Sequence, residues 1–140
     1  MSVVDASVAS AVFIADDPFH DVCLAWLLAA LDAGDPLRGP TLLLPEVTGA
    51  VRRVTGDEGL ARATAEELGT GVVWELVPVT VALASRAAEI AATLAVRGAD
   101  SVYVALAAEL GEPLVTVDDQ QGDRAAGLVA VVRLRLVLPT

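Results

Sequence analysis

Apolar residues follow two rhythms along this chain. Four short segments, Ser2–Asp5, Val72–Pro78, Pro113–Val117 and Leu128–Leu136, are rich in Val and Leu with little polar alternation. They read as strands that are apolar on both faces. Elsewhere apolar positions recur every three or four residues, as on a helix with one buried side. Phe19, Cys23, Trp26, Leu27 and Ala30 form such a stripe on Phe19–Ala33. Leu83, Ala87, Ile90, Ala91 and Leu94 form another on Thr80–Arg97, and Asp100–Leu110 turns Val104, Ala107 and Ala108 inward. Shorter helices are expected over Ala6–Ile14 and Gln120–Ala126. Thr41–Thr55 reads as a helix whose first turn Pro45 must kink or delay. Asp57–Leu68 reads as an exposed, charged helix.

The punctuation agrees with these elements. Asp17 suits an N-cap and Pro18 the first helical position, while Gly34, Gly56, Gly98 and Gly111 each end a helix. Asp35–Pro40 is a loop with room for a very short strand. Strands that alternate with helices and are apolar on both faces predict a parallel sheet with helices on both sides. At 140 residues, with no repeat and no linker, one domain over 1–140 is expected.

Composition narrows the class. Hydrophobic residues make up 55% of the chain, too many for a disordered protein. Yet the longest stretches without a charge, such as Val22–Leu31, are ten residues long. Spanning a bilayer takes about 20. No Lys or Arg precedes the first apolar run, so no signal peptide is expected, and Cys23 has no partner for an internal disulfide. Both observations point to a cytoplasmic protein without membrane attachment.

Charge removes several chemistries. There are 19 acids against 9 arginines and no lysine, a formal net charge of −10. Without lysine there is no phosphate-binding P-loop and no Schiff base. A single His excludes a multi-histidine zinc site. His20 and Cys23 share a helical face, but no further His or Cys completes a site with them. A domain this acidic does not draw nucleic acid by its overall field, so chemistry on nucleic acid would need metal ions or a partner to offset the charge.

The positions of four acids carry the most information. Asp5 ends the first strand and Asp118 ends a later one, and in a parallel sheet such ends open on the edge where ligands bind. Asp100 falls in the first turn of a helix, where the dipole favours a carboxylate. Glu46 interrupts the apolar stretch Thr41–Val47. Each has an ordinary explanation alone: a helix cap, a turn, a dipole contact, a solvated side chain. Together, four carboxylates in apolar settings are costly unless a cation intervenes. Oxygen-only clusters suit Mg²⁺ or Mn²⁺. Ser7 and Thr116, each two residues from a strand-end acid, are placed to orient the carboxylates. Arg52, Arg53 and Arg97 are candidates to hold a phosphate.

These blocks resemble a known family. Val-Val-Asp-Ala-Ser-Val (3–8), Pro-Glu-Val-Thr-Gly-Ala-Val (45–51), Gly-Ala-Asp-Ser-Val-Tyr-Val-Ala-Leu-Ala (98–107) and Leu-Val-Thr-Val-Asp (114–118) are similar, in order and spacing, to the PIN domain. The similarity is closer to the VapC-type toxins of bacterial toxin–antitoxin pairs. It implies a three-layer α/β/α fold with a central, mostly parallel sheet of four to five strands. It also implies a Mg²⁺- or Mn²⁺-dependent endoribonuclease, an inhibitory antitoxin and a homodimer. Carried over by position, the catalytic and metal-binding quartet is Asp5, Glu46, Asp100 and Asp118, with Asp119 or Asp123 as further possible ligands. The family often has Asn three residues after the Glu, where this chain has Gly49. The rival reading is a non-catalytic PIN-like module that only binds a partner. A phosphatase would want a second acid at Asp-x-Asp, which Asp5-Ala6-Ser7 lacks.

Overall fold

The structure is a computed structural model and describes residues 1–136. Strand β1 (Ser2–Val4) leads into α1 (Ala6–Phe13) and α2 (His20–Asp32), and β2 (Leu37–Pro40) into α3 (Leu43–Thr55) and α4 (Glu58–Gly69). Next, β3 (Trp74–Val77) leads into α5 (Val81–Leu94) and α6 (Gly98–Leu110). Last come β4 (Leu114–Thr116), α7 (Asp119–Ala125) and β5 (Val131–Arg133). The five strands form one sheet in the order β3-β2-β1-β4-β5, and every pair is parallel. Helices flank it. Val3, Val4, Leu114 and Val115 on the central strands are at most 1% exposed, as the unbroken apolar runs predicted.

Three boundaries differ most from expectation, each for an identifiable reason. Asp35–Pro40, read mainly as a loop, holds β2, which pairs with both β1 and β3. A Cβ on Gly39 would come within 2.8 Å of Leu43 Cδ2, so glycine lets this strand turn directly under α3. The last strand shrinks from Leu128–Leu136 to Val131–Arg133, because its partner β4 offers only Leu114, Val115 and Thr116 as register mates.

The third difference is the break between α5 and α6. Gly98 was expected to end a helix running to Arg97. Instead α5 stops at Leu94, and Ala95 takes the left-handed conformation (φ 54°). Val96 is tucked in at 5% exposure, Arg97 takes the N-cap position, and Gly98 opens α6. Arg124 Nη1 donates to the Ala95 carbonyl at 2.8 Å, and the two helices bend by 111°. No single helix among the described residues is long and apolar enough to cross a membrane.

Two helix starts are also settled. Pro45 is the third residue of α3, where an N–H has no intrahelical acceptor to lose. The helix therefore starts at Leu43, and Glu46 N donates to the Leu42 carbonyl at 3.2 Å. Asp17, expected to cap the next helix, instead accepts from Phe19 N at 2.8 Å within the turn before α2.

The chain steps outward from β1 to β2 and β3, then returns to the other side of β1 with β4. The strand order thus reverses between β1 and β4. In doubly wound sheets the crevice outside the carboxyl ends at such a reversal is where ligands bind. Asp5 follows β1 directly, and Asp118 lies two residues after β4.

Candidate metal centre

Asp5 is the N-cap of α1. Its Oδ1 accepts from Ser7 N at 2.8 Å and Val8 N at 3.4 Å, and also from the Ser7 hydroxyl. Its Oδ2 accepts the Thr116 hydroxyl at 2.5 Å. The side chain is thereby fixed at both oxygens and only 3% exposed. Burial pushes its carboxyl up from 3.8 to about 6, although these hydrogen bonds pull the other way. Desolvation wins because no cation among the described residues touches it.

Glu46 arrives from a different element, the fourth residue of α3. The Tyr103 hydroxyl donates to its Oε1 at 2.7 Å. Burial raises this carboxyl above its ordinary value, and the charge of Asp100 adds to the rise. The Tyr103 hydrogen bond and Arg97 oppose it. Asp100, in the first turn of α6, accepts from Arg97 Nε at 2.9 Å. Asp118 is the N-cap of α7 and accepts from Gln121 N at 3.1 Å. Its own N–H donates to Thr116 Oγ1 at 3.0 Å, so Thr116 ties Asp5 and Asp118 together. Arg97 Nη2 reaches Asp118 at 3.7 Å.

All four acids line one cleft of about 210 Å³. Arg53 and Arg97 line it too, and Arg52 does not. Arg53 folds back over Gly49: a Cβ there would stand 3.1 Å from its Nη1. The missing Asn side chain is thus replaced by room for a guanidinium. Asp119 and Asp123 lie outside the cleft, on an exposed side of α7 that turns toward β5. Arg133 Nη1 is 2.5 Å from Asp123 and 4.0 Å from Asp119, and Arg135 is 3.7 Å from Asp119. Those ion pairs hold both acids away from the quartet. His20 and Cys23 are structural as well: His20 Nδ1 sits 2.7 Å from the Ala11 carbonyl, and Cys23 is fully buried.

Two residues of the site escaped the sequence reading: Gln121 lines the cleft, and Tyr103 lies behind it and reaches Glu46. Tyr103 stands three residues after Asp100, on the same face of α6, and a buried Tyr in an apolar helix looks like core. Gln121 stands three after Asp118. It is 4% exposed, its Oε1 lies 3.5 Å from the Thr116 hydroxyl, and its Nε2 has no partner among the described residues. Helical spacing from a known acid was the signal available for both.

The donor set fits a hard divalent cation. It consists of carboxylate oxygens, two of them raised by burial with too little positive charge nearby. It is not a closed coordination sphere: among the described residues, no three of these groups stand close enough to share one ion as placed. Uncompensated carboxylates repel, and Arg97 draws Asp100 and Asp118 toward itself.

A parallel, doubly wound sheet with an acidic cleft at its strand-order reversal defines the class of fold. The chain belongs to the PIN domain family, whose pattern it matches over residues 2–127. Comparison with curated protein sequences gives no match. Among solved structures, the chain is similar to VapC20 of Mycobacterium tuberculosis, a sarcin–ricin loop cleaving toxin. The identity is 22% and the TM-score 0.76, covering 95% of this chain and 99% of that one. It is also similar to VapBC2 of Rickettsia felis bound to a fragment of its promoter DNA (10% identity, TM-score 0.73, 96% and 98% covered). FitAcB of Neisseria gonorrhoeae gives 20% identity and a TM-score of 0.68, with 94% and 96% covered. At these identities the likeness establishes a shared fold.

Proposed function

We propose that the chain is a single PIN-like domain acting as a Mg²⁺- or Mn²⁺-dependent endoribonuclease, the toxin of a cytoplasmic toxin–antitoxin pair. The observation that carries this reading is the convergence of Asp5, Glu46, Asp100 and Asp118. They come from four separate elements and line one cleft at the carboxyl edge of the sheet. Family membership and the names of the solved relatives support it. Toxin–antitoxin complexes among the solved relatives support a protein antitoxin as partner.

The four acids would hold the ion. A divalent cation in such a site lowers the pKa of water and offsets the charge of a phosphodiester under attack. Ser7 and Thr116 hold both oxygens of Asp5, so its carboxylate needs no reorganisation when the ion arrives. Arg53 and Arg97 are the cationic side chains in the cleft available to an RNA phosphate. Because the chain carries −10 overall, RNA must be drawn by this local charge rather than by the molecule's field.

The spacing of the acids supports a second reading, a PIN-like module that binds a partner without catalysis. Calorimetric titration of Mn²⁺ into the partner-free protein, beside Asp100→Asn, separates the two. The nuclease reading expects binding that weakens at least tenfold in the mutant. A folded wild type that takes up no Mn²⁺ would sink the metal mechanism and leave the interaction module.

A further inference from the structure

The four acids are anchored in unequal ways. Asp5 receives donors on both oxygens, Asp118 caps a helix, and Asp100 is paired with Arg97. Glu46 has the longest side chain of the four and makes no ion pair among the described residues. Its one hydrogen-bond donor there is the Tyr103 hydroxyl, at 2.7 Å from Oε1. Tyr103 itself is 1% exposed and among the largest fully buried side chains. Its ring is locked in the core, so its hydroxyl is a fixed point. The contact joins α6 to α3, two helices remote in sequence. It also occupies one oxygen of Glu46 and leaves Oε2 free of any donor among the described residues.

We infer that Tyr103 is the positioning residue for Glu46: the buried phenol clamps Oε1 so that Oε2 is presented to the cation in the cleft. Helix α6 then has two tasks. It supplies Asp100 directly, and one turn later it orients an acid that belongs to another helix. The inference rests on the metal reading above and assigns a role to a residue that reading does not need. The competing explanation is that Glu46 merely satisfies a buried hydroxyl, in which case the phenol has no influence on the ion.

The chain contains one tyrosine, which makes the test direct. In full-length protein labelled with [¹³Cζ]tyrosine, a single NMR resonance reports the hydroxyl's partner. Saturation with Mg²⁺ is expected to shift this resonance in the wild type and to leave it in place in Asp100→Asn. Calorimetry with Mn²⁺ is expected to show Tyr103→Phe binding about tenfold more weakly than wild type, or worse. Circular dichroism establishes that the variant is folded. A wild-type resonance that stays still at saturating Mg²⁺ overturns the inference even if Tyr103→Phe fails to fold. So does a folded Tyr103→Phe that binds Mn²⁺ within twofold of wild type. If the wild type takes up neither ion, the metal reading itself has failed and the positioning role goes with it. The wild-type titration alone distinguishes that case.

Discussion

At Asp5 the needs of folding and of the proposed ion binding oppose each other. Its carboxyl is raised to about 6 in the folded chain, against 3.8 as a reference. Between those values the folded state binds more proton than the unfolded one. The fold is therefore favoured by this group in acid and loses that advantage as pH rises through about 6. By pH 7.5, without metal, the penalty is about 3 kcal/mol. Asp5→Asn keeps an N-cap side chain for α1 and removes the charge. Thermal melts in EDTA at pH 7.5 should therefore show the variant more stable than wild type by about 2 kcal/mol, the difference narrowing toward pH 5. Mn²⁺ binding should disappear in the same variant. A variant less stable than wild type at pH 7.5 would mean that Ser7 and Thr116 compensate the burial fully. Asp5, Ser7 and Thr116 were readable in sequence because a polar residue at a strand end stands out against an apolar run. Tyr103 was not, since aromatic burial is the norm and its hydroxyl's partner is 57 residues away. Asp119 and Asp123 stand outside the cleft for a different reason. Adjacency in sequence placed them near Asp118, and the turn of α7 sent them to Arg133.

Among the elements, the junction of α5 and α6 decides where Asp100 and Arg97 point. Its turn depends on Ala95 at φ 54°, a conformation that costs a residue with a Cβ about 1 kcal/mol or more. Ala95→Gly removes that cost, partly offset by the greater freedom of glycine in the unfolded chain. Urea denaturation should show the variant stabilised by about 0.5 kcal/mol or unchanged, with Mn²⁺ affinity retained. Destabilisation beyond about 1 kcal/mol would show that the Ala95 methyl packs usefully. The sequence placed the helix end at Gly98, because glycine is the usual terminator. Burial of Val96 and the hydrogen bond from Arg124 moved it three residues earlier, and both are long-range effects that a local pattern does not register. Pro45 shows the converse. It suggested a disturbed helix, yet the rule that the first turn lacks internal acceptors was sufficient to place it.

On the scale of the whole molecule, parallel strands were legible because Val3, Val4, Leu114 and Val115 are apolar on both faces. Strand order was not, since strands of three or four residues carry no pairing code of their own. A chain with net charge −10 and four acids against two arginines in its cleft should gain global stability from the proposed ion. At a free Mn²⁺ concentration one hundred times its dissociation constant, linkage gives about 2.7 kcal/mol. The melting temperature of the wild type should rise accordingly, fall back on adding EDTA, and stay unmoved in Asp100→Asn. An equal rise in the mutant would point to ions bound elsewhere on the acidic surface.

The Thr116–Asp5 hydrogen bond joins residues 111 positions apart. On a ribosome adding about 5–20 residues per second, roughly ten seconds separate the synthesis of the two halves of this contact. Throughout that interval β1 lacks its β4 neighbour, and the cleft lacks Asp100 and Asp118 for much of it. The growing chain thus has no complete centre while it is still tethered beside ribosomal RNA. If the finished protein cuts RNA, the order of its strands withholds that activity until β4 and Asp118 have been made.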